Sequence, residues 1–96
     1  MIISFGDKAT EALFHGRQSK RALRFPNEIK NKSLKKLDIL NAAASLEDIR
    51  SPPGNRLEAL KGEFRDYYSI RVNDQWRLVF KWSGSDALNV CLTDYH

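Results

Sequence analysis

Two runs of alternating residues, Tyr68–Val72 and Trp76–Trp82, constrain this chain more than any other feature. Tyr68, Ile70 and Val72 fall on one side of the first run, and Trp76, Leu78, Phe80 and Trp82 on one side of the second. A period of two is the pattern of a strand with one buried face. Asn73 and Asp74 interrupt it, and their short polar side chains, which bond local backbone and tolerate positive φ, suit a tight turn. The two runs therefore predict an antiparallel hairpin with one continuous apolar face. A third run, Leu88–Leu92, follows the Ser83-Gly84-Ser85-Asp86 connection and leads into Thr93-Asp94-Tyr95-His96.

The rest of the chain supplies what that face packs against. Ile2, Ile3 and Phe5 predict a short first strand that ends at Gly6. Asp7 is a good N-cap for a helix through His15, with Ala9, Ala12 and Leu13 on one stripe and Gly16 stopping it. Arg17–Arg24 is a basic connector. Pro26 suits the first turn of a second, longer helix reaching about Ala44, in which Ile29, Leu34, Leu37, Leu40 and Ala44 recur at roughly helical spacing. Lys30, Lys32, Lys35 and Lys36 lie largely off that stripe and read most simply as a solvated face. Leu46–Arg50 predicts a brief turn, Ser51–Asn55 a loop, and Arg56–Leu60 a further strand. The expected order is β-α-α-β-β-β: an α+β fold in a single domain spanning residues 1–96, with two N-terminal helices packed on one face of an antiparallel sheet and the other face free.

Composition narrows the function classes. A chain of 96 residues hides roughly two-thirds of its unfolded surface on folding. Sixteen Lys plus Arg against twelve Asp plus Glu, a net charge of +4, point to an anionic partner. The lone Cys91 requires no oxidising compartment. No basic lead-in followed by an apolar run precedes Gly6, and no stretch has the length to span a bilayer, so the expectation is a cytoplasmic protein without a membrane partner.

Among chemistries, nucleophilic hydrolysis finds no Gly-x-Ser-x-Gly elbow, and Cys91 reads as a small buried hydrophobe within a strand. His15 and His96 fit no zinc spacing, and no CxxC or phosphate-cradling glycine loop is present, so neither metal nor cofactor is expected. His15 reads as a helix-terminal residue favourable to the dipole. What remains is a sheet carrying Arg71 and Arg77 on neighbouring strands, with Arg56, Lys61 and Arg65 nearby and an acid–aromatic–imidazole sequence at Asp94-Tyr95-His96. Cleaving an RNA phosphodiester requires removal of the 2′-hydroxyl proton, stabilisation of charge on phosphorus and protonation of the leaving oxygen. Arginine and lysine can hold the phosphate, and histidine can exchange a proton at neutral pH. Tyrosine can position a proton or stack on a base. The plain alternative for Asp94–His96 is an exposed stretch of chain.

Ser51-Pro52-Pro53-Gly54-Asn55-Arg56-Leu57-Glu58, then Leu60-Lys61-Gly62, then Tyr68-Ser69-Ile70-Arg71-Val72-Asn73-Asp74-Gln75-Trp76-Arg77-Leu78, then Asp94-Tyr95-His96 resemble, in that order, the HigB-type toxins of the RelE superfamily. These include the plasmid-maintenance killer proteins and GraT-like relatives, and the Ile-x-Ser-Phe start agrees. The resemblance implies a compact RelE-like fold and a metal-independent mRNA interferase that cuts messenger RNA in the ribosomal A site. It also implies a HigA-like helix-turn-helix antitoxin, through whose complex alone the toxin would meet operator DNA. Carried onto this sequence, it implies catalytic roles for Lys61, Arg77, Asp94, Tyr95 and His96. Arg77 and Lys61 would act on the phosphate, His96 as general acid or base assisted by Tyr95, and Asp94 would orient the site. Arg56, Arg65, Arg71, Tyr68 and Asn73 are the candidates for RNA contact. One departure stands out: members often read Lys-Gly-Asp-Arg-x-Gly, whereas here Lys61-Gly62-Glu63-Phe64-Arg65 displaces the arginine by one position and leaves Phe64 to pack against the domain.

Two other readings fit the same residues: a basic module that occupies ribosomal or other RNA without cutting it, and a weakened toxin kept as operon co-repressor. In the toxin reading, the basic outer face of the helices would attract an acidic antitoxin segment.

Overall fold

A computed structural model describes residues 1–16, 20, 25–50 and 53–94. Among the described residues three helices precede the sheet: α1 (Lys8–Phe14), α2 (Asn27–Ala42) and α3 (Leu46–Arg50). The sheet is a meander of four antiparallel strands, β1 (Glu58–Ala59), β2 (Tyr67–Arg71), β3 (Trp76–Ser83) and β4 (Asp86–Asp94), paired in chain order. The expected α+β arrangement, helices on one face of an antiparallel sheet, is what forms. The predicted hairpin closes with Ile70 opposite Leu78 and Tyr68 opposite Phe80. Asn73 makes its turn: its side-chain oxygen accepts from the Gln75 and Trp76 amides at 2.8 and 2.7 Å.

Several boundaries differ from the sequence expectation. Leu46–Arg50 is a third helix, stabilised as Asp48 accepts the Ala44 amide at 2.8 Å. The strand expected over Arg56–Leu60 shrinks to two residues, because Arg56 sits in the left-handed region at φ 46° and cannot begin a ladder. The long helix ends at Ala42, leaving Ala43 buried and Ala44 exposed. Its inward stripe is Ile29, Ser33, Leu37 and Leu40, with Leu34 partly buried. Ser33 is polar yet faces inward, and its buried hydroxyl has no hydrogen-bond partner among the described residues. The third apolar run is the middle of a longer β4.

The expected first strand is a short parallel contact along the outer edge of β4, with bridges from Ile2 to Ala87 and from Phe5 to Val90. Its hydrogen bonds are Ala87 N to Met1 O at 2.9 Å, Ile3 N to Ala87 O at 2.8 Å, Val90 N to Ser4 O at 3.1 Å and Gly6 N to Val90 O at 2.8 Å. The ladder then passes to side chains: Asn89 N donates to Ser4 Oγ at 2.9 Å and Leu92 N to Thr10 Oγ1 at 2.9 Å. Asp7, the predicted N-cap, accepts the Thr10 amide at 2.7 Å and turns the chain into α1.

A bulge divides β4. Leu88 pairs with Lys81 and Cys91 with Val79, so Asn89 and Val90 together face Phe80, and Asn89 takes φ 53°. The inserted residue changes which positions point inward. Ala87 is buried before it, Val90 and Leu92 after it. With Ile70, Leu78 and Phe80 these residues meet Ala9, Leu13, Ile29, Leu37, Leu40 and Ile49 from the helices. Cys91 is therefore corrected: it is not part of this core but half-exposed on the opposite face.

At Gly6 the edge contact leaves no room for a side chain, since a Cβ would lie 2.9 Å from the Asn89 carbonyl oxygen and 3.3 Å from Cys91 Cβ. Gly6→Ala is expected to cost about 1–3 kcal/mol, the usual penalty of forced overpacking. A lowered urea midpoint with an unchanged m-value is the measurement that checks it.

Candidate active site

The face of the sheet turned away from the helices carries Ser69 and Arg71 from β2, Arg77, Val79 and Lys81 from β3, and Cys91 and Thr93 from β4. Arg77 is its anchor. Nε donates to Ser69 Oγ at 2.9 Å and Nη2 to the Arg56 carbonyl at 2.7 Å, while Glu58 Oε1 lies 3.9 Å away. With 13% of its side chain exposed, the guanidinium is fixed in direction. Its other amino group, Nη1, donates to none of the described residues. The left-handed backbone at Arg56 aims that carbonyl at Arg77, and positive φ at a non-glycine residue is a strain that neighbours must hold in place. The neighbour here is the fully buried Asn55, which donates to the Ile49 carbonyl at 3.0 Å and accepts from Lys36 Nζ.

Positive charge gathers around this clamp. Arg71 is the direct cross-strand partner of Arg77, a like-charged juxtaposition that costs energy unless it is balanced. Asp74 forms an ion pair with Arg71, and Glu58 stands near Arg77. Burial, and then repulsion from Arg71, hold the Lys36 ammonium below its ordinary value. An anion placed here would relieve the repulsion.

Beside Arg77 on the same face opens a cleft of about 610 Å³, lined by Phe5, Gly6, Leu60, Phe64, Tyr67, Val79, Asn89, Cys91, Thr93 and Asp94. Asp94 accepts from Gln75 Nε2 at 3.1 Å at the end of β4. Lys61 and Arg65 are exposed on either side of the 3₁₀ turn Gly62–Phe64, which brings Phe64 to the cleft. Phe64 is 54% exposed rather than packed into the domain.

The structure thus sets Arg77 and Arg71 side by side on the open face, with Asp94 lining the cleft at the end of β4, Arg56 contributing its carbonyl, and Lys61 and Arg65 beside the cleft mouth. Two candidates stand elsewhere. Tyr68 points to the helix side and stacks on Phe80, with centroids 6.2 Å apart. The side-chain oxygen of Asn73 is occupied by the hairpin turn. Tyr95 and His96 lie outside the described residues. Sequence reasoning missed Ser69, Asn55, Lys36 and Glu58. Ser69 was within reach of it, because in the predicted hairpin Ser69 lies diagonal to Arg77, close enough for a long side chain. Among the described residues no group of histidine, cysteine and carboxylate side chains could hold a metal ion.

The profile of the HigB-like toxin family, RelE-like toxins of the type II toxin–antitoxin system HigB, matches residues 3–96. The chain belongs to that family. It is 44% identical over 92 residues to Toxin HigB-1 of Vibrio cholerae, covering 96% of this chain and 95% of that one. An uncharacterized protein of Haemophilus influenzae is 38% identical over 69 residues, 72% of this chain and 68% of that one. Among solved structures, the YoeB–YefM complex of Staphylococcus aureus is similar in fold at a TM-score of 0.57 and 24% identity, covering all of this chain and 95% of the matched one. The YoeB/ParE toxin of Agrobacterium tumefaciens gives 0.52 at 18% identity, with 99% and 96% covered. This HigB-like toxin has, among its described residues, no helix long and apolar enough to cross a membrane.

Cys91 illustrates how the cleft treats a nucleophile. Its thiol donates to Asp7 Oδ2 at 3.0 Å, and burial first, then that hydrogen bond, raise it from 9.0 to about 11. At neutral pH it stays a thiol and an inert lining group. A two-unit rise predicts iodoacetamide alkylation at pH 8 about a hundredfold slower in the native protein than in the unfolded chain. Asp7→Asn, which keeps a competent cap, should speed it. Since the unfolded thiol ionises first, stability should fall as pH rises from 9 towards 11.

Proposed function

We propose that this HigB-like toxin is a ribosome-dependent endoribonuclease that cleaves messenger RNA in the A site and so stops translation. The observation that carries the reading is the Arg77 clamp: a guanidinium held rigid by Ser69 and the Arg56 carbonyl on a sheet face left open by the helices. In this mechanism Arg77 and Lys61 bind the scissile phosphate and stabilise the negative charge that builds on it, which a preorganised donor does without reorganisation cost. His96 takes the 2′-hydroxyl proton or delivers one to the departing 5′-oxygen, with Tyr95 assisting and Asp94 orienting. The 2′-oxygen bonds to phosphorus as the bond to the 5′-oxygen breaks, leaving a cyclic phosphate and a 5′-hydroxyl.

With one histidine in the set, alignment of the message by the ribosome supplies the rest of the geometry. A HigA-like helix-turn-helix antitoxin neutralises the toxin in the cytoplasm and carries it to operator DNA. That a solved structure of similar fold is a YoeB–YefM complex agrees with a partner of this kind.

Primer extension on a defined message in a reconstituted translation reaction tests the reading. Cuts should appear only with ribosomes, at fixed positions in the A-site codon. Arg77→Ala and removal of His96 should each lower the cutting rate at least a hundredfold, while antitoxin binding persists. Arg77→Lys should restore little, because an ammonium cannot bridge Ser69 and the Arg56 carbonyl with a fork. Intact messages on arrested ribosomes would favour the non-cleaving RNA-binding reading instead.

A further inference from the structure

The mechanism above uses Arg77 and Asp94 and leaves the aromatic wall of the cleft without a task. Phe64 stands 54% exposed at its mouth and meets Tyr67 edge-on, with centroids 6.0 Å apart and planes at 88°. Lys81 Nζ lies 5.5 Å from the centre of the Tyr67 ring. The floor is apolar, with Val79, Leu60 and Phe5. Across the cleft stands one amide held in a definite orientation. Asn89 is locked in left-handed backbone by the bulge. Its Oδ1 accepts from Ser4 Oγ at 3.4 Å, and its Nδ2 donates to the Tyr67 hydroxyl at 3.3 Å.

We propose that this cleft is a nucleobase pocket, in which an unstacked base of single-stranded RNA lies against Phe64 and Tyr67 and presents its hydrogen-bonding edge to Asn89. The inference rests on the ribonuclease reading and names which residues would set its base preference. Aromatic faces bind any base, whereas an oriented amide, which both donates and accepts, discriminates among base edges. Position supports the pairing with the phosphate site. The Val79–Cys91 pair in the cleft lies two residues along β3 and β4 from the Arg77–Thr93 pair, about 7 Å at strand spacing. A nucleotide whose phosphate sits at Arg77 therefore has this cleft within reach of its own base or a neighbour's.

Two measurements separate this inference from the reading beneath it. In the first, the His96→Ala protein is titrated at low salt against a short single-stranded RNA carrying one 2-aminopurine, and against the same strand with an abasic site at that position. The base should make binding about tenfold tighter or more, with the fluorescence quenched. Phe64→Ala, a change at an exposed side chain, should abolish both the quench and the difference while leaving the melting temperature unchanged. In the second, wild type and Asn89→Gly, which suits the left-handed backbone, are compared by primer extension across a message containing all codons. Asn89→Gly should broaden the positions cut. No quench at saturating protein, equal affinity for the intact and abasic strands, or an unaltered cutting pattern overturns the pocket. Loss of antitoxin binding by Phe64→Ala with RNA binding intact also overturns it and assigns the aromatic wall to the protein partner. A wild type that binds the base and cuts no message overturns the ribonuclease reading and leaves the pocket standing.

Discussion

The hydrogen-bonding demand of the outer edge of β4 governs much of this structure. A buried or half-buried strand edge must have its amides and carbonyls satisfied. Here residues 1–10 satisfy it in sequence, first by backbone from Met1 to Gly6 and then by the hydroxyl of Thr10. Everything near that edge follows from the arrangement. Gly6 is bare because the Asn89 carbonyl is too close for a Cβ. Asp7 is positioned both to cap α1 and to receive the Cys91 thiol. The bulge at Asn89 lets a single strand present Ala87 and then Val90 and Leu92 to the core. It also turns Cys91 and Thr93 to the open face, where they help form the cleft.

At the other end of the sheet the organising element is charge. Arg71 and Arg77 face each other across two strands, and Lys36 and Arg56 approach from the helices and the loop. Such a cluster holds together because Arg71, Arg77 and Lys36 each meet an oxygen: Asp74 for Arg71, the Ser69 hydroxyl and the Arg56 carbonyl for Arg77, and the Asn55 amide for Lys36. Only partial neutralisation results, which is the condition of a site prepared for an anion. That a HigB-like toxin shares its fold with YoeB and YoeB/ParE toxins at 18–24% identity shows how little of the frame depends on particular side chains. The chemistry is set by the few that face outward.

Much of this frame is legible in the sequence. The hairpin is readable because every second residue from Tyr68 to Val72 and from Trp76 to Trp82 is large and apolar, and because Asn73 is the right side chain to close a turn. Asp7 and Gly16 bracket α1 for equally local reasons. What escapes is whatever depends on tertiary neighbours. Ser33 holds an inward helix position despite its hydroxyl, and Ser69 is fully buried beneath the Arg77 side chain. Cys91 reads as core for its apolar character, yet it alternates with the buried Val90 and Leu92 and so faces away from them. Arg56 ends a strand through a backbone angle that its side chain does not announce. The candidate site is legible in its charges, Arg71 and Arg77 through strand alternation and Asp94 through family resemblance alone. Its aromatic cleft is not, because Phe5 meets Phe64 and Tyr67 there from a stretch of chain some sixty positions away.

The parallel contact of residues 1–6 with β4 also fixes an order of events. Its hydrogen bonds join groups 84 to 86 positions apart in the chain. Contacts of that separation form late, since closure entropy must be overcome before they stabilise anything. Residues 1–6 are thus held waiting until β4 has followed them. The cleft, which takes Phe5 and Gly6 from one end of this contact and Asn89 and Cys91 from the other, has no existence in a partly made chain.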